Sequence, residues 1–452
     1  MADLKNFKAK LFEKAKGAGF EEYELYCQNG ATMSVQIFNG EVSQFTNASS
    51  VGVSFRGKHG GKMGYASSEF VDDSVIDFLV DNAKQNAGII ESEDFEELYA
   101  GDAKYPEVDC YSANVAAASV DAKVEKALKI EKSALDADER VKLVPYCALA
   151  NGEQQVLIAN SKGLDVSRNK NYMYSYAYAQ AAEGESVKMG GETEIYSNFD
   201  GFDPEKLGKA AAKKALEKLG GKPVPSGKYK VVLDTDTAGN FLAVFFNAFS
   251  AEHAQKGFSL LKGKLGEKIA SPAVTIVDDP LIPLALGSTP FDSEGVAAYK
   301  KTVIDGGTFK TFLHNTKTAR KDGVAPTGNG FKDDFNSPVN IGATNFYVAP
   351  GEKSAEQLYE QVGDGVLITD LAGLHSGANP VSGEFSLQAE GFVIEGGKKG
   401  RPVELITVSG NFFTLLGEIE AVADDLKFGS PSRHGNIASP SLFIRGLDIA
   451  GS

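Results

Sequence analysis

Three turn sequences limit what this chain can become. Asn39-Gly40, Asp305-Gly306-Gly307 and Glu395-Gly396-Gly397 each separate two runs that read as strands. Turns of this type need positive φ at adjacent positions, which Asn and Gly tolerate, and they fold the chain back antiparallel to itself. Lying in both halves of the chain, they predict antiparallel β-structure in each, and 49 glycines fit many tight hairpins. Further strands are expected at 22–28, 51–55 and 62–66, and from 141 to 197 with turns at Asn151-Gly152 and Lys162-Gly163.

Helical periodicity interrupts this pattern. Leu4, Phe7, Leu11 and Ala15 share one side of a helix over 3–18 that Gly17 and Gly19 end. Helices are also expected at 72–86, 114–135, 354–362 and 411–419, and from Asp203-Pro204 to 219. The acidic stretch 91–108 between the second and third helices reads as a loop. GGKPVPSG (220–227) has glycines, two prolines and no periodicity, which makes it the best domain boundary. The expected architecture is α+β. A mixed N-terminal domain, 1–222, precedes a β-rich, barrel-like or sandwich-like domain, 223–452, with a central helix at 237–256. In that helix Phe241, Phe245, Ala248 and Phe249 form an apolar face, and a strand over 273–277 follows it.

The formal net charge is −15. That argues against direct nucleic-acid binding, which depends on Lys and Arg neutralising phosphates. Cys27, Cys110 and Cys147 are far apart and form no metal-binding pair, in keeping with a reducing cytoplasm. The opening residues lack the apolar core of a signal peptide, and no run of about 18 apolar residues marks a membrane span.

Familiar catalytic patterns are excluded in turn. GFSLLKGKL has the wrong spacing for a phosphate loop, and Leu265 stands where Ser or Thr is needed. His375-Ser376 are adjacent, so the base cannot face the nucleophile, and no G-x-S-x-G occurs. Tyr172, Tyr174, Tyr176 and Tyr178 alternate and so share one face of a strand. Such a row is either a wall for an extended peptide or, more commonly, cross-strand aromatic packing.

Four blocks together carry a resemblance. QKGFSLLKGKLGEKIASPAVTIVDDP, GSTPFDSEGV, HNTKTARK and GLHSGANPVSGEFSLQAEG resemble the TldD/PmbA family, and more closely its PmbA branch, also called TldE and once labelled a modulator of DNA gyrase. The resemblance implies a cytoplasmic zinc metallopeptidase assembly that degrades or matures peptides. TldD-type subunits resemble zinc peptidases with an HExxxH helix and a distant Cys. Two imidazoles on adjacent turns hold the metal and the Glu activates water. Aligned on Gln255-Lys256-Gly257, the first His position here is Leu242, the Glu position Ala243 and the second His position Asn247. No Cys lies in GSPSRHGNIASPS (429–441), and His253 has no second His within a turn or two.

The expectation is therefore a non-catalytic PmbA/TldE-like subunit with no metal of its own. It would be paired with a TldD-like subunit that carries the zinc, and could also pair with itself in isolation. An independent hydrolase with an unrecognised site and a non-enzymatic peptide-binding regulator are the alternatives. Asp292, Glu294, His314, Arg320, His375, Asn379 and Glu384 lie in the matching blocks. They are candidates for a cleft or partner interface, or equally for turn caps and mutual pairs.

Overall fold

A computed structural model describes residues 2–89, 97–429 and 431–451. Strand exceeds helix, 41% to 24%, in segregated blocks, so the class is α+β. The N-terminal part is built on a six-stranded antiparallel sheet. Its order is Lys62–Ser68, Glu41–His59, Glu22–Phe38, Val141–Asn160, Asp165–Glu183, Ser186–Tyr196. All three glycine turns close hairpins, with Asn39 at φ 54° and Gly40 at φ 77° in the first.

Side-chain alternation gives this sheet two unlike faces. Leu25, Cys27, Val53 and Phe55 face the helices Ala2–Gly17 and Ile76–Ile89. Met33, Val35, Met173 and Ala177 face Val120–Leu135 and Pro204–Glu217. The opposite face meets the C-terminal half, where Tyr26, Val156 and Ile158 pack with Phe291 and Phe335.

The C-terminal half contains a closed five-stranded barrel of Gly227–Leu233, Gly365–Ala372, Glu384–Glu395, Lys398–Asn411 and Leu442–Ala450. Thr407, Val408 and Ser409 pair with Ala450, Ile449 and Asp448 to close it. Closure leaves no open edge along that seam. A second five-stranded sheet holds Ile276–Asp278, Lys301–Asp305, Asn345–Val348 and two short strands, Thr308–Phe309 and Asn436–Ala438.

Four local expectations are corrected. The central helix does not run unbroken over 237–256 but divides into Thr235–Val244, a 3-10 turn Phe246–Phe249 and Ala251–Gln255. Phe245 stacks on Phe412 at 4.4 Å, while Phe246 and Phe249 both meet Phe346. An unbroken α-helix would turn Phe245 and Phe246 about 100° apart, and the tightened turn sends both into the core. Asn151-Gly152 is not a turn. It lies inside Val141–Asn160, with Gly152 opposite Tyr172. The helix expected at 114–135 breaks at Ala118, and Ser119 caps the longer piece by accepting from the Ala122 amide. The strand expected at 273–277 is Ile276–Asp278, because Val274 is drawn into a turn by its bond to the Ser271 carbonyl.

Part of the acidic loop, 91–96, lies outside the described residues, and 97–108 has no helix or strand. This segment straps the two halves together. The Tyr105 hydroxyl donates to the Gly295 carbonyl at 2.7 Å, and Asp102 accepts from the Ala297 amide at 2.7 Å.

Candidate functional site

The strand Asp165–Glu183 builds one wall of a large cleft. Its odd-numbered residues Met173, Ser175, Ala177 and Ala179 are wholly buried under the helices. Their small volumes let those helices sit close. The even-numbered residues therefore face the other way, and in order they are Arg168, Lys170, Tyr172, Tyr174, Tyr176 and Tyr178. Successive ring centroids lie 6.3, 6.3 and 6.2 Å apart, with the first three rings nearly parallel. Two glycines make room for this ladder. A Cβ on Gly152 would fall 2.4 Å from the Tyr172 ring, and one on Gly191 would fall 2.4 Å from the Tyr178 ring.

The C-terminal half supplies the facing wall through Leu286, Gly287, Thr289, Phe331, Lys332, Pro431, Gly435 and Asn436. Together they enclose about 890 Å³, ample for several residues of a ligand. Tyrosine and aliphatic groups dominate, and the charged lining consists of Arg168, Lys170 and Lys332 with no Asp or Glu. Burial, reinforced by the Arg168 charge, pushes Lys170 down to about 7. Burial pushes Lys332 down to about 8, with Arg56 adding to the effect. Lys170 donates to the Leu286 carbonyl, and Lys332 to Ser54 Oγ and the Phe335 carbonyl. The Arg168 Nε–H is buried without an acceptor.

At the rim of this cleft lies the region where the resemblance places metal ligands. Leu242 is buried, Ala243 and Asn247 are half-buried, and Thr235–Val244 packs beside Asn436–Ala438. The first helical piece and residues 436–438 of the 429–441 segment are thus neighbours in space. His434 stacks on Phe246 at 5.2 Å and is pushed down to about 4, by burial first and then by the Arg433 and His253 charges. His253 is lowered by burial, and its Nδ1 has no partner. Among the described residues no three His, Cys, Asp or Glu side chains come together as metal ligands would.

The seven polar candidates fall into two separate groups, and none lines the tyrosine cleft. Asp292 and Glu294 are buried next to each other. Asp292 accepts from the Glu294, Val296 and Gly330 amides at 2.9, 3.1 and 2.8 Å. Glu294 accepts from the Thr316 amide at 2.8 Å and from the Thr316 hydroxyl. Burial raises both carboxyls. The Glu294 charge raises Asp292 further, while Arg56 opposes the rise at Glu294. The His314 amide donates to Thr327 Oγ1 at 2.7 Å, and burial lowers its imidazole. Arg320, on Thr316–Asp322, reaches Glu97. His375, Asn379 and Glu384 lie together elsewhere, at the exposed tip of a barrel hairpin. There Asn379 accepts from the Val381 and Ser382 amides and closes on the Glu384 carbonyl.

Family models describe the PmbA/TldA metallopeptidase in three parts, and all three match in order. Domain 1 covers 23–87, the central domain 114–219 and the C-terminal domain 226–451. The chain belongs to the PmbA/TldD family. A metalloprotease of Methanocaldococcus jannaschii is 27% identical over 88% of either chain. The PmbA homologue of Haemophilus influenzae, also described as a metalloprotease, is 29% identical over 94% of this chain and 90% of its own. A Thermotoga maritima structure described as a modulator of a DNA gyrase superposes with TM-score 0.90 and 37% identity, over 99% of this chain and 100% of its own. TldE from Thermococcus kodakarensis superposes with TM-score 0.90 and 25% identity, over 98% and 100%.

Within the PmbA/TldD central-domain match lie the residues that sequence reasoning passed over. Arg168 and Lys170 continue the alternation of the tyrosines on the same face. Extending the phase of the strand four residues back from Tyr172 finds both. Lys332 joins them from a distant part of the chain, and no local pattern announces it. Among the described residues no helix is long and apolar enough to cross a membrane.

Proposed function

We propose that this chain is the zinc-free, PmbA/TldE-like subunit of a cytoplasmic metallopeptidase assembly, paired with a TldD-like subunit that carries the catalytic zinc. One observation carries the reading. At the two places where a family zinc site would be assembled, the side chains are Leu242, Ala243 and Asn247 on one segment, with no Cys on the other. A buried isobutyl group, a methyl group and an amide do not fit the imidazole and thiolate donors that zinc takes. The aromatic packing of Phe245 and Phe246, which breaks the helix there, supports the same reading, because two imidazoles need an intact turn to converge. The chain then contributes architecture and one wall of a peptide chamber, and the partner supplies the activated water and the general base.

Zinc content by mass spectrometry tests this, on the purified chain alone and on the chain co-expressed with a TldD-like subunit. The expected result is one zinc per pair in the complex, little in the isolated chain, and metal-dependent peptide cleavage only by the complex. Stoichiometric zinc in the isolated chain, or chelator-sensitive cleavage by it, overturns the proposal.

A further inference from the structure

We propose that the Arg168, Lys170 and Lys332 end of the tyrosine cleft is a carboxylate subsite, which takes the C-terminal carboxylate of an extended peptide whose side chains lie along the tyrosine ladder. The proposal deepens the chamber-wall reading above, on which it rests for the choice of a peptide as occupant.

Charge carries the first part of the argument. In a chain of net charge −15, a cleft with three cations in its lining and no carboxylate is an exception that calls for an anion. None of the three cations touches a carboxylate of the described residues directly, and Glu24, Glu294 and Asp334 act on Lys332 only from beyond hydrogen-bond distance. Among the described residues the Arg168 side chain makes no hydrogen bond or ion pair, and its Nε–H is buried with nothing to donate to. Asp292, a carboxylate whose field reaches Arg168, has both oxygens occupied by three backbone amides. Lys170 and Lys332 are held by carbonyl and hydroxyl oxygens instead of carboxylates. A desolvated guanidinium without a partner is costly by itself and strengthens any charge-assisted bond made to it. Burial is the main cause of the lowered proton affinity of both lysines, with a neighbouring guanidinium second in each case, Arg168 for Lys170 and Arg56 for Lys332.

Periodicity carries the second part. The rings repeat every 6.2 to 6.3 Å. Side chains on one face of an extended peptide repeat at about twice the rise per residue, roughly 6.5 Å. A single-stranded nucleic acid would need cations all along the row to follow its phosphates, and the Tyr172 to Tyr178 stretch has none in the lining. The cations lie at one end of this row and not along it, so the ligand needs its negative charge at one end. A free C-terminus meets that need whatever the peptide sequence.

The test uses the full-length chain and a fluorescein-labelled heptapeptide of alanine, valine and phenylalanine with no acidic side chain, made as the free acid and as the C-terminal amide. Fluorescence anisotropy is expected to show the acid binding about tenfold more tightly than the amide, with a preference that shrinks as salt is added. Arg168→Gln is expected to remove most of the acid preference and leave amide affinity nearly unchanged, whereas Tyr176→Ala weakens both probes alike. Equal affinity for acid and amide on the native chain overturns the carboxylate subsite without recourse to any variant. Failure of both probes to bind, or tighter binding of fluorescent AMP than of the acid peptide, overturns the peptide occupant. None of these outcomes depends on where zinc resides, so this proposal and the subunit assignment fail separately.

Discussion

Lys170 ties stability and binding to pH in opposite senses. Its ordinary value is 10.5 and the folded chain holds it at about 7, with Arg168 beside it on the strand, the Cys110 thiol across from it and the Leu286 carbonyl above. Because the folded value lies below the unfolded one, the unfolded chain binds more protons between these two values. Stability therefore rises with pH across that window, and the penalty is full below it. In Lys170→Met the titrating group is gone. Urea unfolding of both proteins is expected to show the stability of the variant relative to the native chain falling by about 1 kcal/mol between about pH 6 and about pH 9.5. A difference that stays flat would mean that Lys170 titrates normally. The free-acid peptide should respond in the other direction. Its affinity is expected to fall over the same interval as Lys170, and Lys332 at about 8, lose their charge. Glu24, Glu294 and Asp334, which face Lys332 and hold its value up, together with Arg56, which lowers it, moderate the second step.

Elements explain how much of the molecule can be read from its residues. The three hairpins are legible because their turns demand a backbone conformation that few residues adopt, and Asn39, Gly40, Gly306, Gly307, Gly396 and Gly397 all have positive φ. Asn151-Gly152 carries the same local signal with the opposite outcome. Here the glycine is needed by a ring on the next strand, and that partner is not in the local sequence. The same reasoning explains the ladder, whose alternation is local, and Lys332, whose place in the cleft is not. Barrel closure is equally hidden, since residues 407–409 meet 448–450 only after the barrel has formed. Two predictions belong at this scale. Gly152→Ala puts a Cβ into the Tyr172 ring, and chemical denaturation should show a loss of about 2 kcal/mol, largely recovered in Gly152→Ala with Tyr172→Ala. Asp234 caps Thr235–Val244 by accepting from the Thr237 amide at 2.9 Å, and burial raises its carboxyl to about 7. A raised folded value means that the penalty for ionising is full above about 7 and absent below its ordinary 3.8. Asp234→Asn keeps the cap without the charge, so it should stabilise by about 1 kcal/mol at about pH 8 and have little effect near pH 4.

At the scale of the whole molecule, the cleft exists because one sheet is shared between two cores. Helices cover one face of the N-terminal sheet, and the C-terminal half covers part of the other, leaving the tyrosine strand as an uncovered wall. The width of the opening depends on how firmly the halves dock. The dock combines the Tyr105 and Asp102 strap with an apolar contact centred on Phe335, which is 7% exposed among Tyr26, Val156 and Phe291. Gly52 sits directly beneath it, where a Cβ would lie 2.3 Å from the ring, so the sheet backbone itself forms the floor of the Phe335 socket. Phe335→Ala empties that socket, and losses for such truncations run to about 3 kcal/mol or more. The barrel and the helix-covered face each keep their own hydrophobic cluster, so the loss should fall on their coupling. Calorimetry is expected to resolve a single unfolding transition of the native chain into two in the variant, and limited proteolysis near residues 220–227 to accelerate. A single transition that only shifts downward would mean that the halves are coupled by the strap and the buried Asp292 and Glu294 segment, and that the Phe335 contact merely adds to stability.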